Sequence, residues 1–258
     1  MLPWWVEAVM VRLQERFAKS VLTRSQIPGV DYCVNPYTGC MHACRYCYAD
    51  FMKRFTGHKE KWGSFVDAKV NAPGVLAKEL KKKREGNVMI SSVTDPYQPA
   101  EKRYRITRGC LEVLIPSRFS VQILTKSPLV LRDLDLLRKF DDIAVGITVT
   151  TDDDGVRKVF EPGAPPIEER IEALKKLRAA GVSTYAFVGP VLPMNPEQVA
   201  AAIGPHVESV LIDRMNYTGK TAGLYRSRKL TLWLDDDFIH DVMGRLAAAF
   251  DGIPVELC

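Results

Sequence analysis

Short runs rich in β-branched residues, NVMISSV, SVQIL, IAVGITVTT, STYAFVG and SVLID, alternate with helical patterns through most of the chain. No other feature limits the fold as much. A strand followed by a helix, repeated, favours parallel strands joined by right-handed crossovers, either as a closed or partly open βα barrel or as a doubly wound sheet. About six βα units are legible, fewer than the eight of a full barrel. The clearest helix runs from Pro166 to Ala180, where Ile167, Ile171, Leu174 and Leu177 recur at spacings of three and four and Gly181 stands where a helix stops. Ahead of the first strand, a helix is expected over Pro3 to Lys19, followed by a turn at Pro28-Gly29 and an extended segment into VNPYTG. With 258 residues, 47% of them hydrophobic, the chain can bury one sizeable core and reads as a single domain.

Charge excludes less than it permits. A net charge of +5 is compatible with an anionic partner without requiring one. The densest basic stretch, Lys81-Lys82-Lys83-Arg84, closes a helical pattern, where cations complement the helix dipole. No run approaches the ~20 apolar residues that span a bilayer, and Glu7 and Arg12 interrupt any signal-peptide core. The expected location is the cytoplasm, where cysteines stay reduced. No histidine–carboxylate–serine constellation and no phosphate-binding loop is present, which argues against ordinary hydrolytic or phosphoryl-transfer chemistry.

Three of the six cysteines fall in one loop, Cys40-Met41-His42-Ala43-Cys44-Arg45-Tyr46-Cys47, with spacing C-x3-C-x2-C. Crowded thiols in a reducing compartment point to metal, not to disulfides. Three soft ligands suit an iron–sulfur cube whose fourth iron has no protein ligand. The alternative is a zinc site completed by Cys33, His42 or His58, although structural zinc usually shows two paired-cysteine motifs.

The flanks of this loop extend the argument. NPYTGCMHACRYCYA, followed in order by ISSVTDPYQPAE, LTKSPLVLRDLDLL, GITVTT, VFEPGAPPIEERIEALKKLRAAGV and FVGPVLP, resembles the radical S-adenosylmethionine superfamily, and within it the spore photoproduct lyase-like group. The resemblance covers approximately residues 27–216. It implies an α/β fold, a partial (βα)6-like barrel with the cysteine loop after its first strand. Residues 1–26 then form an N-terminal helical extension, 27–216 the core barrel and 217–258 a C-terminal segment of one domain.

For the site, the resemblance implies a [4Fe–4S] cluster on Cys40, Cys44 and Cys47 and S-adenosylmethionine on its open iron. It also implies an external one-electron donor of ferredoxin or flavodoxin type. Tyr46 matches an aromatic position near the adenine, and Tyr48 a second aromatic position. Lys126, in a strand-end Thr-Lys sequence, matches a lysine that contacts the cofactor carboxylate, and an ammonium at the carboxyl end of a parallel strand suits such an anion. Thr94 and Thr148 match hydroxyl residues placed to hydrogen-bond the cofactor. Glu161 and Arg170 match a signature whose members either pair with each other or touch cofactor or substrate.

The chemistry so implied is reductive cleavage to a 5′-deoxyadenosyl radical that abstracts hydrogen from a substrate. One departure matters: the group's hydrogen-donating cysteine aligns with Ser92, whose O–H bond is too strong to quench a carbon radical as a thiol does. This argues against lesion reversal by the same route. Three functional alternatives therefore stay open: a radical enzyme with a peptide or small-metabolite substrate, a nucleic-acid lesion lyase, and a non-catalytic iron–sulfur or zinc-binding adaptor. A nucleic-acid role would draw on Arg103, Arg105, Arg108, Arg226, Arg228 and Lys229 with Tyr104 and Tyr225. Cys33 reads as a buried hydrophobe or a reserve donor, and no role is assigned to Cys110 or Cys258.

Overall fold

The computed structural model describes residues 11–258. The described chain opens with β1 (Arg12–Arg16), β2 (Leu22–Arg24), β3 (Tyr32–Val34) and the short β4 (Tyr37–Thr38). A loop then leads to α1 (Lys53–Thr56), β5 (Phe65–Lys69) and α2 (Ala72–Leu80). From there strand and helix alternate: β6 (Asn87–Ile90), α3 (Glu101–Tyr104) and α4 (Ile106–Leu114), then β7 (Ser120–Thr125) and α5 (Leu134–Leu137). The pattern continues with β8 (Ile143–Thr148), α6 (Asp154–Phe160) and α7 (Ile167–Ala179), β9 (Ser183–Val188), α8 (Pro196–Ile203) and β10 (Ser209–Ile212). Helices α9 (Thr218–Ser227) and α10 (Asp236–Ala248) precede β11 (Val255–Leu257).

Eight strands form one sheet in the order β11-β10-β9-β8-β7-β6-β3-β2. Every neighbouring pair is parallel except β2 with β3. This is the partial barrel, open between its edges. Because side chains alternate across a strand, register sorts them into two rows. Val34, Ile90, Ile123 and Val145 are aligned partners, and all are fully buried in the main core. On the opposite row Cys33 pairs with Met89, and Met89, Leu124 and Phe187 line the concave side. The carboxyl ends of the parallel strands share one rim, where a parallel βα fold places its ligand.

Two features depart from the sequence reading. The helix expected over Pro3–Lys19 lies outside the described residues as far as position 10, and from Arg12 the chain is a strand. Val11 and Leu13 pack against the core while β1 runs parallel to β5, with Leu13 opposite Val66. A short apolar alternation fits both periods, and pairing with β5 decides between them. Strand β5 itself, which was not expected, joins β1 and β4 in a small second sheet. The segment 217–258 contributes its last strand to the main sheet beside β10. Among the described residues, no helix is long and apolar enough to cross a membrane.

Candidate active site

Residues 39–47 leave β4 at the rim of the barrel. Gly39 takes φ 86°, and a Cβ there would fall 2.3 Å from the Phe65 carbonyl oxygen, so only glycine starts this loop. Two side chains from the segment after β6 hold it from below. Thr94 Oγ1 donates to the Gly39 carbonyl at 2.6 Å. Gln98, fully buried, donates to the same carbonyl and accepts the Met41 N–H at 2.9 Å. From the other side Gly163 N donates to the His42 carbonyl at 3.0 Å, and a Cβ on Gly163 would lie 2.2 Å from the Met41 carbonyl oxygen. The thiol-bearing loop is thus clamped by backbone contacts too close for larger residues.

Cys40, Cys44 and Cys47 line one cavity of about 490 Å³ with Tyr46, Tyr48, Ser92, Thr94, Asp95, Lys126 and Thr148. That size suits a cofactor. A larger groove, about 920 Å³, runs over α7 and carries none of the thiols. Burial pushes the Cys40 and Cys47 thiols up, and raises Cys44 to about 12 against the pull of Lys126. These thiols are protonated in the metal-free chain, and a metal that takes them as ligands must displace the protons. His42 and Ser91, which line this cavity, carry the buried atoms Nε2 and Oγ with no hydrogen-bond partner. Among the described residues, no three His, Cys, Asp or Glu side chains converge as the ligands of a single ion would. Ligands on the separate irons of a cube are spaced more widely, so three thiols on one wall, beside orphaned polar atoms, fit the cluster.

Lys126 is positioned at both ends. Asp95 accepts its backbone N–H at 2.9 Å and the Thr125 hydroxyl at 2.6 Å, and lies 3.3 Å from His42 Nδ1. Burial pushes the Asp95 carboxyl up, but His42 and these donors outweigh it and hold it at about 2. At the other end the Lys126 ammonium lies 3.7 Å from Glu161 and 5.8 Å from the Tyr46 ring centroid. Glu161 is buried, yet Arg170, Lys126 and the Tyr46 hydroxyl bring it down to about 2. Arg170 donates to Glu161 at 2.5 Å and to the Thr148 carbonyl at 3.2 Å. Arg170 already neutralises Glu161, so the Lys126 charge remains as an excess cation at the cavity wall.

The outer lip is aromatic. Tyr48 stacks with Phe51 at 6.3 Å and with Tyr217 at 6.3 Å, and Phe55 meets Phe51 edge-on at 6.1 Å. Phe55 is 77% exposed and Tyr217 49%. The Tyr48 hydroxyl donates to the Ser92 carbonyl. Asn35 holds the same turn through the Ser92 and Val93 N–H groups at 3.0 and 3.1 Å.

Beyond the geometry, the profile of the radical SAM superfamily matches residues 34–203, more than half of the chain. The chain belongs to the radical SAM superfamily. An uncharacterized protein of Methanocaldococcus jannaschii is 43% identical over 176 residues, which are 68% of this chain and 66% of that protein. An uncharacterized protein of Mycobacterium tuberculosis is 33% identical over 187 residues, 70% of this chain and 54% of its own length. The chain thus spans less than two-thirds of either relative. Among solved structures, a spore photoproduct lyase variant with bound AdoMet and dinucleoside spore photoproduct superposes with a TM-score of 0.70 at 15% identity, covering 94% of this chain and 81% of that one. At that identity the likeness is one of fold.

As a radical SAM protein the chain brings Cys40, Cys44, Cys47, Tyr46, Thr94, Lys126 and Thr148 to one cavity. The structure adds partners that the motifs do not specify. The Thr94 hydroxyl donates to Gly39 and accepts from Gln98, so it braces the loop. Glu161 and Arg170 form a buried ion pair behind Tyr46 and do not line the cavity. Cys33 is buried in β3, and Cys110 is buried in α4. The basic set drawn from sequence does not gather at the mouth: Arg108 pairs with Asp133 and Asp135, and Tyr225 is fully buried against Phe160. The residues not anticipated are Gln98, Asn35 and the ring series Phe51, Phe55 and Tyr217. Asn35 and Gln98 sit inside the recognised motifs NPYTG and DPYQ, which was their available signal.

Proposed function

We propose that this chain is a radical enzyme in which Cys40, Cys44 and Cys47 hold a [4Fe–4S] cluster. When bound, cluster and S-adenosylmethionine together would supply reductive sulfonium cleavage and a 5′-deoxyadenosyl radical able to take a hydrogen atom from substrate. The observation that carries this reading is the convergence of the three thiols, Tyr46 and Lys126 on one cavity at the strand ends. Three side-chain ligands would leave one iron without a protein ligand, open to the cofactor. Lys126 offers its excess positive charge to that carboxylate, Tyr46 presents a fixed ring to the adenine, and Thr148 offers a hydroxyl. The cavity wall is mostly apolar. An external one-electron donor of ferredoxin or flavodoxin type completes the reaction.

Anaerobic reconstitution, with iron and sulfide analysis and an assay for 5′-deoxyadenosine, tests this. Cleavage without added substrate is the expected result. Protein that holds zinc and no sulfide, or a cluster that never cleaves the cofactor, would make the chain an adaptor instead.

For the substrate, the mouth favours nucleic acid. Tyr48, Phe51, Phe55 and Tyr217 form a ring series beside Lys53 and Arg54, while Arg214 and Lys220 close by pair with Asp236 and Asp50. Stacking rings with interspersed cations are how single strands are held without base readout. The solved relative in fold that carries a dinucleoside photoproduct supports the same reading. Ser92 in place of a thiol points away from that relative's reaction outcome. Retention on single-stranded DNA should fall steeply with salt as counterions are released, and the absence of any slope favours a peptide or metabolite.

A further inference from the structure

Helix α9 begins just after the residues Asp213, Met215, Asn216 and Tyr217, which line the cavity mouth. Its other end is anchored by Tyr225, buried against Phe160 with ring centroids 4.8 Å apart. Near its start, Lys220 makes three contacts at once. The ammonium donates to the Cys47 carbonyl at 2.8 Å and to the Asp50 carboxylate at 2.6 Å, and sits 5.4 Å from the Tyr217 ring centroid. An ordinary surface ion pair contributes little because each long side chain is free to swing away. This one is pinned to the backbone of a cluster ligand and to the ring that faces Tyr48.

We propose that Lys220 is a positioning residue that fastens the mouth segment 213–217 to the cysteine loop, so that the placement of Tyr217 and the reduction potential of the cluster are coupled. The inference rests on the cluster reading above. Movement of Tyr217 away from Tyr48, as when a planar group enters between the rings, draws the ammonium from Cys47. A cation beside a cluster ligand favours the added electron, and the Asp50 carboxylate opposes it. Withdrawal of Lys220 therefore makes the cluster harder to reduce, and its return makes it easier.

The test compares Lys220→Met, Asp50→Asn and Lys220→Arg in the reconstituted full chain, by redox titration of the cluster and by hydrogen exchange of residues 213–224. Charge acting on the cluster moves the two neutralising variants in opposite directions. Lys220→Met should lower the reduction equilibrium about tenfold, about 59 mV for one electron, and Asp50→Asn should raise the potential. Exchange should quicken in Lys220→Met, which removes both bonds of the clasp, and change less in Asp50→Asn, where the ammonium keeps the Cys47 carbonyl, while Lys220→Arg should match the parent in both readouts. Equal or same-direction potentials in the two neutralising variants, or unchanged exchange in Lys220→Met, overturn the proposal. Should Lys220→Met fail to fold, Asp50→Asn alone decides by the sign of its shift. A parent chain that takes up no iron and sulfide fails the cluster reading instead, and the exchange measurement then tests the clasp separately.

Discussion

Arg170 donates to Glu161 at 2.5 Å while neither side chain is exposed to solvent. A buried pair is weak evidence of net stabilisation, but removing one partner strands the other charge and costs about 3–5 kcal/mol. Glu161→Gln and Arg170→Met are each expected to destabilise by that order, measured by urea unfolding of the metal-free chain. The double variant should lose less than the sum of the two. It should not regain parent stability, because Arg170 also donates to the Pro165 and Thr148 carbonyls, which methionine leaves without that donor. Full additivity would show that the pair is not a coupled unit.

The same carboxylate sets an acid limit. Burial alone would raise Glu161, yet Arg170 and Lys126 bring it from an ordinary 4.5 to about 2. A folded value below the unfolded one means that the stabilisation is complete above about pH 4.5 and drains away as the pH falls toward 2. Asp95, lowered from 3.8 to about 2, adds to the loss over its own interval. Unfolding free energy measured between pH 6 and pH 2 (roughly the window these shifts define) should therefore decline most steeply below pH 4.5. In Glu161→Gln the decline should be shallower, and an unchanged slope would count against the assignment.

Lys126 is 14% exposed, and among the described residues its ammonium has only an already neutralised carboxylate within salt-bridge reach. Lys126→Met removes the excess cation without placing a second carboxylate against Glu161. A hydrogen bond to a charged group contributes about 1.5–3 kcal/mol, so S-adenosylmethionine should bind the reconstituted variant roughly tenfold to hundredfold more weakly. Equilibrium binding is the measurement, and parent-like affinity removes Lys126 from the cofactor site.

The thiols can be sorted by iron content. Alanine at Cys40, Cys44 or Cys47 should abolish cluster assembly, because each takes away one ligand of three on the cavity wall. Cys33 is buried in β3 with Met89 as its strand partner and is absent from that wall. Cys33→Ala should therefore keep full iron and sulfide. Complete loss of iron in that variant would make Cys33 a fourth ligand and leave no iron open to the cofactor.

What the sequence revealed was whatever is local. The cysteine loop occupies eight consecutive positions, 40–47, and Lys126 and Thr148 sit at the ends of strands that alternation alone picks out. Side-chain partners were not legible, because charge says nothing of its counterion. Arg108 looked free for phosphate and is instead held at 2.9 Å by Asp133 and at 2.7 Å by Asp135. Glu161 and Arg170 left two readings open until burial showed them paired behind Tyr46. The stretch from Arg12 to Arg16 fits either period, and only its pairing with β5, more than forty positions on, makes it a strand. The mouth was equally hidden, since Tyr48 and Tyr217 meet only when the segment after β10 folds back over the cysteine loop.

That meeting yields the remaining prediction. Tyr48 and Tyr217 lie 6.3 Å apart with their planes 19° from parallel, and Phe51 lies 6.3 Å from Tyr48 with its plane at 21°. These rings stand outside both buried core clusters, so removing one should affect folding only modestly; their use is to meet a flat partner. Stacking of a base on an aromatic side chain contributes about 1–3 kcal/mol. Tyr217→Ala and Phe51→Ala should therefore each weaken single-stranded DNA binding by roughly fivefold to hundredfold, while thermal unfolding stays close to that of the parent. Because stacking is neutral, the salt slope should be kept, whereas Arg54→Ala should reduce the slope by about one phosphate contact. Fluorescence anisotropy across a salt series separates the two effects. Ring variants that bind DNA as tightly as the parent would leave the lip without a role in recognising bases, and would turn the search toward substrates that carry no nucleobase.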